Sequence, residues 1–281
     1  MIISIDGRII APEAATISVL DRGLLYGDGL FEVLRTWRGV AVTLDDHLAR
    51  LHASAEALAL RVPGELPTWV RAAISAAVAA GGSTTPGATG DHRVRVIVTR
   101  GPGPLGARLA DLGPGRAIAI VEPLPAQPAE LAVATVEWPV PRRARGHKTL
   151  AYLDHVVARE LAAAAGADEA IRLDDAGHVV EAATATLFVV TAGAVTTPPL
   201  TAGILPGITR ARVLALCAAE GIAARERRLA LAELRAADEI FATSALRGVV
   251  PITRLDGEPR ASGPVTFRVA DAYTRAMTAA L

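Results

Sequence analysis

The sequence contains no asparagine, a single cysteine, and a single lysine among its 29 basic residues. Each scarcity excludes something. Cys217 by itself cannot close an internal disulfide, and its neighbours in RVLALCAAEG mark it as a buried helix thiol rather than a nucleophile. No Cys/His grouping has metal-ligand spacing, so no metal site is expected. The 29 basic and 29 acidic residues cancel, which removes the electrostatic footprint of a nucleic-acid or anionic-membrane binder. No run of 18 apolar residues occurs, so no transmembrane helix is expected. The opening MIISIDGRII carries an acid and lacks both a basic region and a long apolar stretch, unlike a signal peptide. These exclusions lead us to expect a soluble cytoplasmic protein of 281 residues, long enough for two domains.

What is present is a mixture of helical and strand periodicities. MIISIDGRII reads as two strands about an Asp-Gly turn, and GLFEVLRTW with VAVTL reads as a second hairpin about Arg38-Gly39. Apolar residues spaced by three and four over 45–60, behind Asp45 and Asp46, predict an amphipathic helix, and 66–80 a second. GGSTTPGATGD reads as a flexible loop, while HRVRVIVTR and RAIAIVEPL read as strands. After the proline-rich stretch at 122–130 come a strand (131–138), a basic loop (139–148) and an alanine-rich helix (149–165). EAIRLD, HVVEA and LFVV are strands and GITRARVLALCAAEG a helix, followed by strand, helix and strand up to EIFATS. The pattern is α+β, with domains at 1–121 and 131–281 joined by a linker at 122–130.

GPGPLG, 101–106, matches G-x-G-x-x-G after a strand. A dinucleotide site needs a helix opening at the third glycine to face a pyrophosphate. Prolines at 102 and 104 and the broken run ARLADLGPG do not supply one, so the segment reads as a loop.

Lys148 invites a chemical reading. A guanidinium holds its proton throughout, whereas an ammonium can lose one and, as an amine, condense with an aldehyde to a Schiff base. The alternatives are a surface charge or compositional drift. GITR, 207–210, opens a helix behind a glycine and offers backbone amides and the Thr209 hydroxyl to an anion, though an ordinary capped helix looks the same. FATSALRG places two adjacent hydroxyls, Thr243 and Ser244, at a strand end as a second possible grip. Arg50 lies one helical turn from His47, where a solvated arginine is the plain alternative. Glu181 closes an otherwise apolar strand, where a carboxylate is costly unless a cation meets it.

In their order and spacing, DRGLLYGDGLFEVLR, DDHLARLHASA, RVIVTRGPG, HKTLAYL, EAATATLF, GILPGITR and FATSALRGVVPI together resemble the fold-type IV pyridoxal-phosphate enzymes. That group is aminotransferase class IV, with branched-chain and D-amino-acid aminotransferases, (R)-selective amine transaminases and aminodeoxychorismate lyase. The resemblance implies a two-domain α+β (α/β) architecture with pyridoxal 5'-phosphate in the interdomain cleft, and a homodimer. It implies that Lys148 carries the cofactor and shuttles the proton, and that Glu181 pairs with the pyridine nitrogen. Arg50, Gly207, Ile208, Thr209 and Ser244, with Thr243 beside them, stand where the family holds phosphate, and Tyr152 where it approaches the ring oxygen. Phe31 and Arg95 stand at substrate-facing positions. Ala151 and Thr186 occupy places where the family often has asparagine.

The resemblance does not choose one reaction. The Arg-x-His pair of the best-known D-amino-acid enzymes is replaced here by LGA (105–107), while Arg95 matches the branched-chain enzymes. EVLR is closer to the D-amino-acid and lyase branches, and TRGPGPLG to some lyases. The expectation is an aminotransferase joining an amino donor to a 2-keto acid, with pyruvate-releasing aminodeoxychorismate lyase as the alternative.

Overall fold

Asp6 and Gly7 turn the chain through φ angles of 48° and 81°, the left-handed pair that a two-residue hairpin needs. The strands on either side, β1 (Ile2–Ile5) and β2 (Arg8–Ile10), pair antiparallel as the sequence predicts. The computed structural model describes residues 1–81, 90–137 and 146–281. The loop expected at 81–91 falls largely outside the described residues, and most of the basic loop at 139–148 does so too. The chain forms two units, one of Met1–Ala126 with His147–Tyr152, the other of Gln127–Gly146 with Leu153–Ala280. Both mix helix and sheet, and no described helix is long and apolar enough to cross a membrane.

The first unit is built on a five-stranded sheet ordered β2-β1-β5-β4-β3, with β3 (Gly29–Arg35), β4 (His92–Thr99) and β5 (Arg116–Pro123) as its longer strands. Val94, Val96 and Val98 are fully buried on one face of β4 beside Leu30 and Leu34 of β3. A short helix, α1 (Arg22–Tyr26), precedes β3. Helices α2 (Leu44–Ala57) and α3 (Leu66–Ala79) belong to the same apolar core through Leu44, Leu48, Leu51, Leu66, Val70 and Ala73. Two expectations fail here. The turn at Arg38-Gly39 forms, but among the described residues only Trp37 and Val40 bridge across it, and the chain enters α2 at Leu44 without a second strand. The helix expected from 149 begins at Leu153 as α4 (Leu153–Ala164), because residues 148–150 are extended along the free edge of β3. Phe31 N donates to Lys148 O at 2.9 Å and Leu150 N to Gly29 O at 3.0 Å. The lysine segment thus belongs to the first unit's sheet, although the sequence reading assigned it to the second domain. No helix opens at Gly106, so the structure agrees that GPGPLG is a loop.

In the second unit β6 (Leu131–Val136), β7 (Glu169–Leu173), β8 (His178–Ala182), β9 (Thr186–Thr191), β10 (Ala194–Thr197), β11 (Ala224–Glu226), β12 (Leu229–Ala230), β13 (Glu239–Ser244) and β14 (Gly248–Leu255) form a mixed sheet. Its order is β11-β10-β9-β13-β14-β6-β7-β8-β12, with β15 (Glu258–Pro259) added to β14. Leu131, Ile171, Leu187, Ile240 and Ile252 share its largest core, which α6 (Leu231–Ala236) joins through Leu234. Ala158 and Ala162 of α4 pack against Ala134, Val136 and Ala170 in a smaller one. Helix α5 (Ile208–Ala219) follows Gly207 as expected. The last helix, α7 (Pro264–Ala279), packs on β14 and buries Val269, Ala272, Tyr273 and Met277. No sequence expectation covered it.

Glu239 explains where α7 starts. Its buried carboxylate accepts from Val265 N at 3.1 Å and Thr266 N at 2.7 Å, two amides that the helix itself leaves unpaired. Glu239→Ala should cost on the order of 1–3 kcal/mol and lower the melting temperature by several degrees, measured by thermal circular dichroism.

Candidate active site

Strand alternation divides β3 into two sets, and each set has its own chemistry. Phe31 and Val33 lie on one face with Arg95, which is opposite Val33 in the β3–β4 register and diagonal to Phe31. The Arg95 guanidinium lies 4.2 Å from the Phe31 ring centroid. Lys148 Nζ lies 4.6 Å from the same centroid and 5.5 Å from that of Tyr152, whose ring meets Phe31 edge-on at 5.1 Å. Thus Phe31, Arg95, Lys148 and Tyr152, which the sequence reading named separately, form one cluster. Burial pushes the Arg95 pKa down while Tyr152 opposes that shift. No carboxylate lies in ion-pair range of Arg95 among the described residues. A half-buried guanidinium without an acid beside it is suited to an anionic ligand.

Glu32 lies on the other face, among Leu30 and Leu34, and is buried. Arg50 grips it with two arms, Nε to Oε1 at 2.8 Å and Nη2 to Oε2 at 2.5 Å, and His47 Nδ1 is 2.7 Å from Oε2. The sequence reading missed Glu32 as the partner of Arg50 and His47 as the second group on that carboxylate. Their signals were available: His47 falls on the apolar stripe of α2, and Glu32 in the inward set of β3. Burial drives the His47 pKa below its ordinary 6.5 although Glu32 pulls the other way. Burial alone would raise Glu32, but the hydrogen bonds from Arg50 and His47 prevail and hold it below 4.5. Neutral His47 donates from Nδ1 to Glu32, and its buried Nε2 has no partner among the described residues.

The second unit gathers the remaining expected residues. Leu205 N donates to Glu181 Oε2 at 3.2 Å, which ties the carboxylate to the segment leading into α5. Glu181 Oε1 accepts from Arg172 at 2.8 Å, a partner that the sequence reading did not foresee. Gly207 caps α5 without any side-chain hydrogen bond, so the amides of Ile208 and Thr209 begin a helix with an open N-terminus. A Cβ on Gly207 would come within 3.0 Å of Thr186 Oγ1 and 3.1 Å of Arg210 Cβ. Thr186 is paired across the sheet with Thr243, whose buried Oγ1 lacks a partner among the described residues. Ser244 Oγ accepts a long hydrogen bond of 3.4 Å from Arg247 N. Helix-start amides near a hydroxyl without a partner among the described residues are groups of the kind that suit an anion.

Comparison with known proteins gives these arrangements a context. A family model described as amino-transferase class IV matches residues 29–255. A putative branched-chain-amino-acid aminotransferase of Methanocaldococcus jannaschii is 36% identical over 262 residues, covering 92% of this chain and 88% of that protein. A D-alanine aminotransferase of Bacillus licheniformis is 31% identical over 274 residues, covering 94% of this chain and 93% of that protein. The crystal structure of a branched-chain aminotransferase from Thermoproteus uzoniensis with norvaline superposes with a TM-score of 0.90 at 31% identity, over 100% of this chain and 95% of that one. A hypothetical aminotransferase from Mycobacterium tuberculosis, in its PLP-bound form, superposes with a TM-score of 0.85 at 25% identity, over 99% of each chain.

The depressed His47 and Glu32 groups set a pH dependence. Both bind fewer protons folded than unfolded, so their stabilisation is complete above the unfolded pKa and is lost as pH falls through the folded one. For His47 the loss begins near 6.5, and for Glu32 near 4.5. The melting temperature should fall between about pH 8 and about pH 5.5, and His47→Gln should flatten that part of the curve.

Proposed function

The chain belongs to the class IV amino-transferases, and from that premise we propose that it is a pyridoxal-5'-phosphate-dependent aminotransferase that moves an amino group from an amino acid to a 2-keto acid. The observation that carries the reading is the sole lysine of the sequence against two aromatic rings, one of which also meets a guanidinium that has no carboxylate partner among the described residues. Relatives and structural neighbours named as aminotransferases favour transamination over the lyase reaction. The 36% identity to a putative branched-chain enzyme and the TM-score of 0.90 with another favour branched-chain amino acids as donors. Two subunits, as the family resemblance implies, are part of the same proposal.

The residues present fit the cofactor. The open amides of Ile208 and Thr209 behind Gly207, the orphaned Thr243 hydroxyl and Ser244 suit a phosphate dianion, and Glu181 suits a pyridinium. Arg50 is proposed to add its charge to the phosphate site, held in one orientation by Glu32. When bound, the cofactor supplies an electron sink for the negative charge left on the substrate's α-carbon. Lys148 Nζ would hold the cofactor and, once the substrate amine had replaced it there, would as a free amine take up the α-proton and return it. Glu181, as an anion, favours the protonated ring nitrogen. Tyr152 is proposed to orient the cofactor ring at its oxygen. Arg95 holds the substrate carboxylate, with Phe31 as the apolar floor beneath both cations.

Borohydride treatment of the holoenzyme should fix the cofactor mass on the peptide containing Lys148, and Lys148→Arg should abolish both that label and transamination. A labelled or active Lys148→Arg variant would sink the assignment. The donor panel should include L-leucine, L-valine, D-alanine and aminodeoxychorismate, each with 2-oxoglutarate where an acceptor is needed. Keto-acid formation from the branched-chain donors identifies the proposed class, and turnover of D-alanine alone would reverse it.

Arg95→Ala tests the carboxylate contact. It should raise KM for amino acids and keto acids by about ten- to a hundredfold, consistent with loss of a charge-assisted hydrogen bond of roughly 1.5–3 kcal/mol. A monoamine without a carboxylate should be affected far less. Equal losses on both substrate types would show that Arg95 does not read the carboxylate.

A further inference from the structure

Arg172 is the largest side chain that is almost wholly buried, with 1% of its surface exposed. It lies on β7 directly opposite Glu181 on β8, on the same face as Ala170, where α4 packs. Its Nη2 donates to Glu181 Oε1 at 2.8 Å, while its Nε and Nη1 are buried without partners among the described residues. That is a costly way to place an arginine. Desolvation takes the hydration of five donors, and the described bond returns one contact. An apolar residue at 172 would continue the pattern of EAIRLD and fill the same space. A buried ion pair of this kind is weak evidence for a stability role, because replacing it with apolar side chains is often neutral or favourable. The pair therefore requires an explanation in the chemistry of Glu181.

We propose that Arg172 is a positioning residue that compensates the charge of Glu181 and so sets how strongly this carboxylate holds the cofactor's ring nitrogen protonated. The inference rests on the proposed role of Glu181 and goes beyond it. With Oε1 on the guanidinium and Oε2 on Leu205 N, the carboxylate is fixed in orientation before any ring arrives. The ring N–H would donate to this oriented carboxylate. A carboxylate shared with a guanidinium is a weaker base than one without it, and a second positive charge close by also disfavours a pyridinium. Arg172 thereby moderates the electron sink while securing the geometry of the residue that sustains it.

The test uses holoenzyme reconstituted with pyridoxal 5'-phosphate carrying 15N in the ring, observed by NMR at one fixed, mildly alkaline pH. Arg172→Gln removes the charge but keeps a donor, and Arg172→Lys keeps the charge. In Arg172→Gln the ring-nitrogen resonance should move toward the protonated pyridinium position, reflecting a proton affinity raised by about tenfold. In Arg172→Lys it should stay near the wild-type position. A resonance unchanged in Arg172→Gln, or displaced equally in both variants, would overturn the proposal. Arg172→Met replaces the Gln variant if the latter does not fold. Failure of both neutral variants to fold beside a folded Arg172→Lys would assign the residue to folding and overturn the proposal too. Wild-type protein that takes up no cofactor would refute the proposed function itself, an outcome visible before any variant is made.

Discussion

β3 ends the first unit's sheet, and its outer edge would be a row of unpaired amides and carbonyls if residues 148–150 did not close it. The two backbone hydrogen bonds at Phe31 and Gly29 place Lys148 beside the strand that carries Phe31, on the edge opposite the strand that carries Arg95. The lysine's surroundings follow from that pairing. A one-residue slip in register would turn alternate side chains of the segment to the other face, and the amine would leave the Phe31 and Tyr152 rings. Gly27 and Gly29 permit the approach. A Cβ on Gly27 would stand 3.0 Å from the Ala151 backbone, and one on Gly29 would stand 2.6 Å from the Leu150 side chain.

The same strand separates two electrostatic problems. On its core face Glu32 is an acid surrounded by leucines and is satisfied by Arg50 and His47. On the other face Arg95 lies against the Phe31 ring, with no carboxylate in ion-pair range among the described residues. The first arrangement is closed: the carboxylate has its donors, and His47 remains neutral because burial outweighs the attraction of Glu32. The second is open, with positive charge presented by Lys148 and Arg95 over one ring. A half-buried guanidinium with no carboxylate in ion-pair range among the described residues favours a ligand that brings negative charge.

In the second unit, charge is organised differently. Glu181 is fixed by a guanidinium and a backbone amide, and the start of α5 is left bare behind a glycine whose Cβ would crowd Thr186. A bare helix start and an orphaned threonine hydroxyl are costs to the folded state alone. An anion, as proposed for the cofactor's phosphate, would offset them. Arg172 belongs to the same logic: its burial is hard to account for by packing, and it acquires a purpose through the acid it touches.

The sequence by itself determined most of the elements and the kinds of chemistry. Periodicity placed β4, α2 and α5, and the scarcity of lysine singled out Lys148 because an amine does what a guanidinium cannot. The motifs pointed to a family with which the class IV match agrees. The tertiary structure decided the partners. Residues 148–152 carry no local signal for joining a strand more than a hundred positions earlier, and helix propensity alone extended α4 too far toward them. The hairpin expected after Arg38 has no second strand because the chain enters α2 at Leu44 directly after the turn. Glu32 with Arg50, and Arg172 with Glu181, meet only through register and packing, which are long-range consequences of burying apolar faces. Local pattern specifies which face of an element is apolar; which charged groups then share the interior depends on how those faces stack.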